Sequence, residues 1–280
     1  MSNRKITVVI NTFKSEDIIT SCLNSIDKEF KVLIIENSNN KIFKEKLEKD
    51  YPNVKCFLTG DNLGYAKGNN LGLSKVTSQY ALILNPDATL TKNTLNNFFI
   101  SAEKIKDFSI IGPAKQDEFS VSDNNKDKGE LFEVEKLKGF AMFLNLDQFK
   151  EIGFFDDNFF IYLEEIDLCK RVRKNKKKIY LDKKIIINHI GGSSHNDEIN
   201  FEMELSRNWH WMWSTFYFNR KHYGYLKALT KVSRSFLSSI IKMIYYFLVL
   251  NKNKRKIYYQ RFSGLYNSIL GKKSWYRPKI

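Results

Sequence analysis

Tyr80-Ala81-Leu82-Ile83-Leu84-Asn85-Pro86-Asp87 is an unbroken apolar run of strand length that stops on a turn carrying a carboxylate. Apolar residues at every position, rather than at alternate ones, mark a strand covered on both faces, as in a parallel sheet. Asn, Pro and Asp all favour turns, so the tripeptide alone reads as an ordinary strand exit. Its place adds a second meaning. Ligands of open α/β sheets lie beyond the carboxyl ends of the strands, and a carboxylate there can hold a divalent cation against a diphosphate.

Working outward, the same kind of run recurs at Ile6–Ile10, Val32–Ile35 and Val54–Leu58. Between these runs the period changes from two to about 3.6. Ser15–Ile26 sets Ile18, Ile19, Cys22, Leu23 and Ile26 at helical spacing, with Ser15 as a cap. Helices are also predicted over Ile42–Lys49, Tyr65–Leu73 and Thr91–Ile105, and a strand near Ser109–Ile111. Buried-type strands alternating with helices predict an α/β fold, a parallel sheet with helices on both faces. Residues 114–130 are polar and turn-rich, a surface excursion. Strand-like sequence returns over 134–146, Phe160–Arg173 is predicted helical, and Ile179–Leu181 and Ile185–Ile187 are short strands. From about Glu198 the pattern is helical and basic.

Of the 280 residues, 42% are hydrophobic and 14% aromatic, enough for a sizeable core and against a disordered chain. Cys22, Cys56 and Cys169 are scattered without CxxC spacing, which fits neither a disulfide framework nor a zinc site and suits a reducing cytosol. The apolar stretch at the N-terminus is too short for a secretory signal. The net charge of +15 is unevenly placed. Leu205–Ile280 holds 16 Lys and Arg and no Asp or Glu, whereas the first 204 residues hold 30 basic and 31 acidic. A neutral body with a basic tail points the tail at something anionic, phospholipid or nucleic acid.

Glu164-Glu165-Ile166-Asp167 places three acids in four positions, next to Phe159, Phe160 and Tyr162. Apolar surroundings and like charge both raise a carboxyl pKa, which suits a general base; acids at a helix start equally offset its dipole. His189 follows the predicted strand Ile185–Ile187 and precedes Gly191-Gly192-Ser193-Ser194. It could ligate a metal or touch a phosphate, or be structural, and backbone amides of such turns bind anions.

Taken together, these segments resemble the family 2 glycosyltransferases of GT-A fold, and among them the bacterial rhamnosyltransferase-like branch. The resemblance rests on Ile10–Ser15, Ile35–Ser38, Asn62–Gly72, Leu84–Asp87, Lys138–Met142, Ile152–Asp156, Glu164–Arg171 and His189–Ser194, in the family's order. Phe218–Gly224 is similar to the Lys-His-rich helix that follows the catalytic domain in this branch. The resemblance implies a GT-A (Rossmann-like), mostly parallel sheet with helices on both faces. It divides the chain into a catalytic domain at 1–197, with a nucleotide-sugar half at about 1–112 and an acceptor half at about 113–197. Residues 198–280 form a basic, aromatic-rich helical appendage.

The resemblance also implies roles. Thr12, Phe13 and Glu36 lie where the nucleotide is held, and Asn62 and Lys67 where that pocket closes. Asn85, Asp87 and Gly139 belong to the nucleotide-sugar site. Asp87 is a metal ligand for Mg2+ or Mn2+, with His189 beside the metal or the diphosphate. Glu165 takes the place of the catalytic base, with Asp167 and Glu164 as alternatives. Asn85 and Glu165 both stand where the family usually has Asp, and Lys14 where it often has Asn. The implied reaction is inverting transfer of a sugar, rhamnose from dTDP-rhamnose in the first instance and UDP-hexoses otherwise, to a hydroxyl of a cell-surface glycan or glycolipid precursor. Two other readings share some features. A sugar nucleotidyltransferase would use the same sheet and metal carboxylate. A non-enzymatic nucleic-acid-binding protein would explain the basic tail but neither Asp87 nor the acidic cluster.

Lys227, Lys231, Arg234, Ser238 and Lys242 form one polar stripe, and Leu226, Leu229, Phe236, Leu237, Ile240, Ile241 and Ile244 the complementary face. Lys242 keeps the apolar run short of the roughly 20 residues a membrane span needs. The pattern predicts helices lying at an anionic membrane surface, with Trp209, Trp211, Trp213, Tyr245 and Tyr246 in the interface, or packed on the body or a second subunit. The expected location is cytoplasmic, peripheral on the inner face of the membrane, with no nucleic-acid partner and room for a homo-oligomer.

Overall fold

The four apolar runs form β1 (Ile6–Thr12), β2 (Lys31–Glu36), β3 (Val54–Leu58) and β4 (Tyr80–Leu84). In the computed structural model, which describes residues 5–114, 129–189, 191 and 199–278, they pair in parallel in the order β3-β2-β1-β4. Both faces are covered, as unbroken apolarity requires. Val8, Ile10, Val32, Ile34 and Leu82 share one core with α1 (Ile19–Asn24), α2 (Lys41–Asp50) and α4 (Thr94–Ile105). Val9 and Ile35 point the other way, onto α3 (Gly64–Leu73). A Cβ at Gly72 would lie 2.4 Å from Val9 Cγ1, so this helix reaches the sheet only on a glycine.

The sheet then becomes mixed. Its other strands are β6 (Ile110–Pro113), β7 (Leu131–Glu133), β8 (Ala141–Asn145) and β9 (Ile179–Asp182), extending the order to β4-β8-β6-β9-β7. β8 runs antiparallel to both β4 and β6. A separate antiparallel pair joins β5 (Ala88–Leu90) to β10 (Ile187–His189).

Several boundaries differ from expectation: α4 starts at Thr94 rather than Thr91, and of the strand-like stretch 134–146 only Ala141–Asn145 is strand. α1 starts at Ile19 without a side-chain cap, because Lys14 adopts a left-handed φ of 52° and Ser15 turns back onto Phe13 instead. α5 (Glu164–Lys174) starts four residues later than the predicted Phe160. Tyr162 and Leu163 hold φ of 74° and 69°, which no α-helix accommodates. β10 is shifted two residues and takes in His189, because Asn188 and His189 pair with Thr89 and Ala88. The expected excursion at 114–130 lies outside the described residues except for its ends.

The chain forms two units. One runs to Asp156 and resumes at Glu165; the other combines Asp157–Glu164 with the C-terminal helices. These are α6 (Asn200–Tyr223), α7 (Tyr225–Leu248) and α8 (Lys252–Ile269). A Cβ at Gly264 would lie 2.1 Å from the Trp209 carbonyl oxygen, so α6 and α8 meet backbone to backbone there. The tryptophan expectation needs correcting. Trp209 and Trp213 are core residues, donating to Ser263 Oγ at 3.2 Å and the Lys272 carbonyl at 3.0 Å, while Trp211 is exposed. Of the predicted apolar face of α7, Leu229 and Phe236 are likewise used inside the unit, where with Ala228 and Val232 they pack with Met212, Phe216 and Leu265, whereas Leu226, Leu237, Ile241 and Ile244 are exposed.

His210 is buried in this unit, stacked on Phe160 at 4.4 Å. The Tyr276 carbonyl, 2.9 Å from Nε2, can only accept, so Nε2 carries the proton and Nδ1 accepts from Ser274 Oγ at 3.0 Å. Burial pushes its pKa down to about 3, against the Tyr276 bond, and the Arg277 guanidinium adds to the depression. Unfolded, the imidazole protonates near pH 6.5. Between these values the unfolded chain binds more protons, so stability is full above the upper one and falls as pH drops towards the lower. All four tryptophans lie in this unit, so their fluorescence reads its unfolding. The urea midpoint is expected to drop steeply on acidification in the native chain and less steeply in His210→Gln; equal slopes would contradict this assignment.

Candidate active site

Neighbouring strands β2, β1 and β4 are parallel, so the segments leaving their carboxyl ends share one edge of the sheet. Glu36, Thr12–Lys14 and Asn85–Asp87 all sit there. Sequence reading drew these positions from distant stretches; parallel pairing brings them together.

Asp87 follows β4 in a tight turn closed by the Ala88 amide donating to the Asn85 carbonyl at 3.1 Å. It is 3% exposed. Its charge registers on Cys22, whose thiol is pushed up to about 12 by burial first and by Asp87 second. Cys22, Cys56 and Cys169 are all buried and free. β10 pairs with β5 so that His189 faces Ala88, next to Asp87. His189 Nε2 lies 3.4 Å from Asp87 Oδ1 and 3.5 Å from Asn85 Nδ2. The imidazole is fixed by stacking on Phe140, at 4.4 Å and 8°. Nitrogen and carboxylate oxygen facing each other at this distance are a donor pair that one divalent cation can accept, with phosphate and water completing its shell. Among the described residues there is no group of three or more His, Cys, Asp or Glu that could hold a metal, so Asp87 and His189 are the pair that these residues offer. Of the Gly191–Ser194 turn only Gly191, with φ 73°, lies within the described residues.

Gly139 joins this corner to the acidic cluster. β8 begins beside the end of β4, and the Asn85 amide donates to the Phe140 carbonyl at 2.8 Å. The Tyr65 hydroxyl donates to the Gly139 carbonyl. A Cβ at Gly139 would lie 3.1 Å from that hydroxyl and 3.5 Å from Glu165 Cβ. A side chain at 139 would therefore crowd the Tyr65 hydroxyl while just touching Glu165.

Burial separates the three acids that open α5. Asp167 is fully buried, its Oδ2 2.8 Å from Arg171 Nε. The same guanidinium donates to the carbonyls of Ile152 at 2.9 Å, Gly153 at 3.2 Å and Phe154. Asn70 grips the next residue, accepting from the Phe155 amide at 3.0 Å and donating to its carbonyl at 2.9 Å. Asp167 thus positions the loop before α5. Glu164 is 4% exposed, and Glu165 alone of the three is partly open.

The nucleotide-side residues divide similarly. Glu36 is fully buried and serves the chain itself: Oε1 accepts from the Ser38 amide at 2.8 Å and its hydroxyl, and Oε2 from the Asn40 amide at 2.7 Å. Thr12 is buried and donates to the Ile35 carbonyl at 3.3 Å. Phe13 is partly open and Lys67, on α3, is exposed. Asn62 Oδ1 accepts from the Gly64 amide at 3.0 Å and shapes the start of α3. Sequence reading gave no role to Asn11 and Asn37, yet they knit this corner. Asn37 Nδ2 donates to Asn11 Oδ1, Asn37 Oδ1 accepts from the Leu63 amide at 3.1 Å, and Asn11 Nδ2 donates to the Gly64 carbonyl at 2.9 Å. Amides directly after buried strands, where apolar residues would be cheaper, were the available signal. Tyr65 and Phe140 gave no such signal.

The family described as glycosyl transferase family 2 matches residues 7–169. The low-salt glycan biosynthesis hexosyltransferase Agl10 of Haloferax volcanii is 24% identical over 62% of the chain, and the match spans 63% of that relative's own length. The rhamnosyltransferase WbbL of Escherichia coli is 24% identical over 76% of the chain and 92% of its own length. In fold, the chain is similar to a mannosyltransferase from Pyrobaculum calidifontis solved with GDP-Man and Mn2+, with a TM-score of 0.60 and 11% identity over 96% of this chain and 88% of that one.

Proposed function

Since the chain belongs to glycosyl transferase family 2, we propose that it moves a glycosyl group from a nucleotide-diphosphate donor to a hydroxyl of a glycan or glycolipid precursor, with inversion. The observation that carries this reading is the pairing of Asp87 with His189 at the end of β4, joined through Phe140 and Gly139 to the partly open Glu165. Phe13 and the loop fixed by Glu36, Asn37 and Asn11 present the nucleotide side of the pocket. Lys67, exposed on α3, adds positive charge for the diphosphate.

Asp87 and His189 would hold Mg2+ or Mn2+, which when bound supplies positive charge to the diphosphate as it leaves. Glu165 takes the proton from the acceptor hydroxyl while the bond between sugar and phosphate breaks. It is the open carboxylate of the three, whereas Asp167 is spent on Arg171. Glu and Asp differ by one methylene, and the absence of a side chain at Gly139 leaves open the space beside Glu165 Cβ. The proposed donor is dTDP-rhamnose, supported by the E. coli relative that is named a rhamnosyltransferase and matched over 92% of its length. We place the reaction at the cytoplasmic face of an anionic membrane, reached through the C-terminal helices. Among the described residues no helix is long and apolar enough to cross a membrane, and the basic residues of the tail support attachment at a surface.

A thermal-shift panel of dTDP-rhamnose, UDP-hexoses and nucleoside triphosphates, with and without Mn2+, tests this reading. Binding to the native state raises the midpoint. The largest rise is expected with dTDP-rhamnose plus Mn2+. A larger rise with a UDP-hexose would replace the sugar, and no rise with any sugar nucleotide would contradict the site.

A further inference from the structure

Resting on the membrane attachment just proposed, we infer that the turn between α7 and α8 is the contact: it enters an anionic lipid leaflet, and the cleft beside it takes one lipid's acyl chain and phosphate. Packing inside the helical unit takes up Ala228, Leu229, Val232 and Phe236 of α7 but leaves its last turns bare. Phe247, Leu248, Val249 and Leu250 are 57%, 71%, 50% and 83% exposed. Ile241, Ile244 and Tyr245 continue the patch up the helix. A contiguous apolar surface of this kind is uncommon on a chain that meets only water.

The backbone also favours a purpose here. Leu250 sits in a left-handed conformation, φ 56°, where Gly or Asn would be cheaper. The tight turn it makes is closed by the Leu250 amide donating to the Phe247 carbonyl at 3.2 Å, and Asn251 Oδ1 caps α8 through the Lys254 amide at 3.0 Å. The outcome is four apolar side chains, Phe247 to Leu250, exposed at the end of a helical hairpin.

Charge selects the occupant. Neither helix contains an acidic residue, and Lys242 before the apolar tip and Lys252, Lys254, Arg255 and Lys256 after it flank the tip in sequence. The cleft, about 560 Å3, is lined by Met243, Ile244, Phe247 and Tyr259, with Arg255 and Lys256 as its cations. The Arg255 guanidinium lies over the Phe247 ring at 5.5 Å, which holds a phosphate-binding fork against the apolar wall. Lys254 and Lys242 similarly lie over Tyr246 and Tyr258, at 5.3 and 5.1 Å. An apolar tip flanked by cations matches an anionic leaflet in both respects, acyl chains within and phosphates at the rim. A protein partner would have to be acidic around an apolar centre, and a second copy of this tip carries the same positive charge.

Vesicle co-sedimentation of the full chain tests the inference. Binding is expected to mixed phosphatidylglycerol and phosphatidylcholine vesicles, and to fall about tenfold or more on pure phosphatidylcholine or when salt rises from about 0.1 to about 0.5 M. Phe247→Ser/Leu248→Ser/Leu250→Ser and Lys254→Glu/Arg255→Glu should each lose about tenfold or more in binding. Phe247, Leu248, Leu250 and Lys254 are exposed and Arg255 is only half-buried, so helical content should persist. Leu250→Trp should show blue-shifted emission and quenching by lipids brominated along the acyl chain. Unchanged binding in the tip variants, or no quenching of that tryptophan, would overturn the inference. So would a concentration-dependent dimer that the tip variants abolish in the absence of lipid. Sugar-nucleotide binding measured on the same proteins keeps the two readings apart. Vesicle binding without it would sink the transferase reading alone, and the reverse would sink this one.

Discussion

Asp87→Asn is expected to lower turnover about 10^3-fold or more, a loss of about 4 kcal/mol of transition-state stabilisation, with the unfolding midpoint near that of the native chain. The size follows from what the carboxylate faces. It is buried at the end of a central strand, 3.4 Å from His189 Nε2, so no neighbouring carboxylate among the described residues completes a three-ligand site in its stead. Asparagine keeps the shape of the turn but lacks the charge that opposes a divalent cation. Initial rates at saturating Mn2+, beside thermal unfolding, check the prediction. Near-native turnover in a folded Asp87→Asn would remove the metal role from this residue.

Glu165→Gln should cost about 10^2 to 10^4 in kcat and leave donor binding in place, as removal of a general base does. Glu165→Asp keeps a carboxylate and should retain a measurable part of the rate. Asp167→Asn should act through a different channel. It breaks a buried ion pair with Arg171 and loosens the carbonyls of 152–154, so about 3 to 5 kcal/mol of stability should go. Kinetics and urea unfolding on the three variants separate these roles. If Asp167→Asn were stable and inactive while Glu165→Gln kept its rate, the base would have been misassigned.

Much of the first unit was legible because its signals are local. Tyr80–Leu84 and Val54–Leu58 are strands to the residue, since continuous apolar runs bounded by turn formers leave little choice. Their parallel pairing followed from the helices between them. What the chain conceals are matters decided by distant contacts. β8 carries an ordinary apolar strand, and nothing in Ala141–Asn145 says that it runs antiparallel between β4 and β6. Tyr162 and Leu163 look helical by periodicity; two left-handed residues there can be known only from the backbone. The tail shows the limit most clearly. Trp209, Trp211 and Trp213 have the same composition and spacing on either account, and only the close approach of α8 at Gly264 decides which of them are core.

The site divides along the same line. Asp87, His189, Glu165 and Gly139 could be picked from sequence, yet their grouping depends on β10 pairing with β5 and on β8 starting beside β4. Asp167 and Glu36 carry the same chemistry on paper as Glu165. Burial separates them, and burial is a property of the packed chain.

The most direct test of the account is the identity of the nucleotide released. Purified chain is incubated with dTDP-rhamnose and Mn2+, with and without a membrane lipid extract as the source of acceptor, and the products are resolved by mass spectrometry. The account predicts nucleoside diphosphate released together with an acceptor heavier by one deoxyhexosyl group, stimulated by the extract and absent in Asp87→Asn. Release of inorganic diphosphate from a nucleoside triphosphate, or no turnover of any sugar nucleotide by a folded chain, would contradict it.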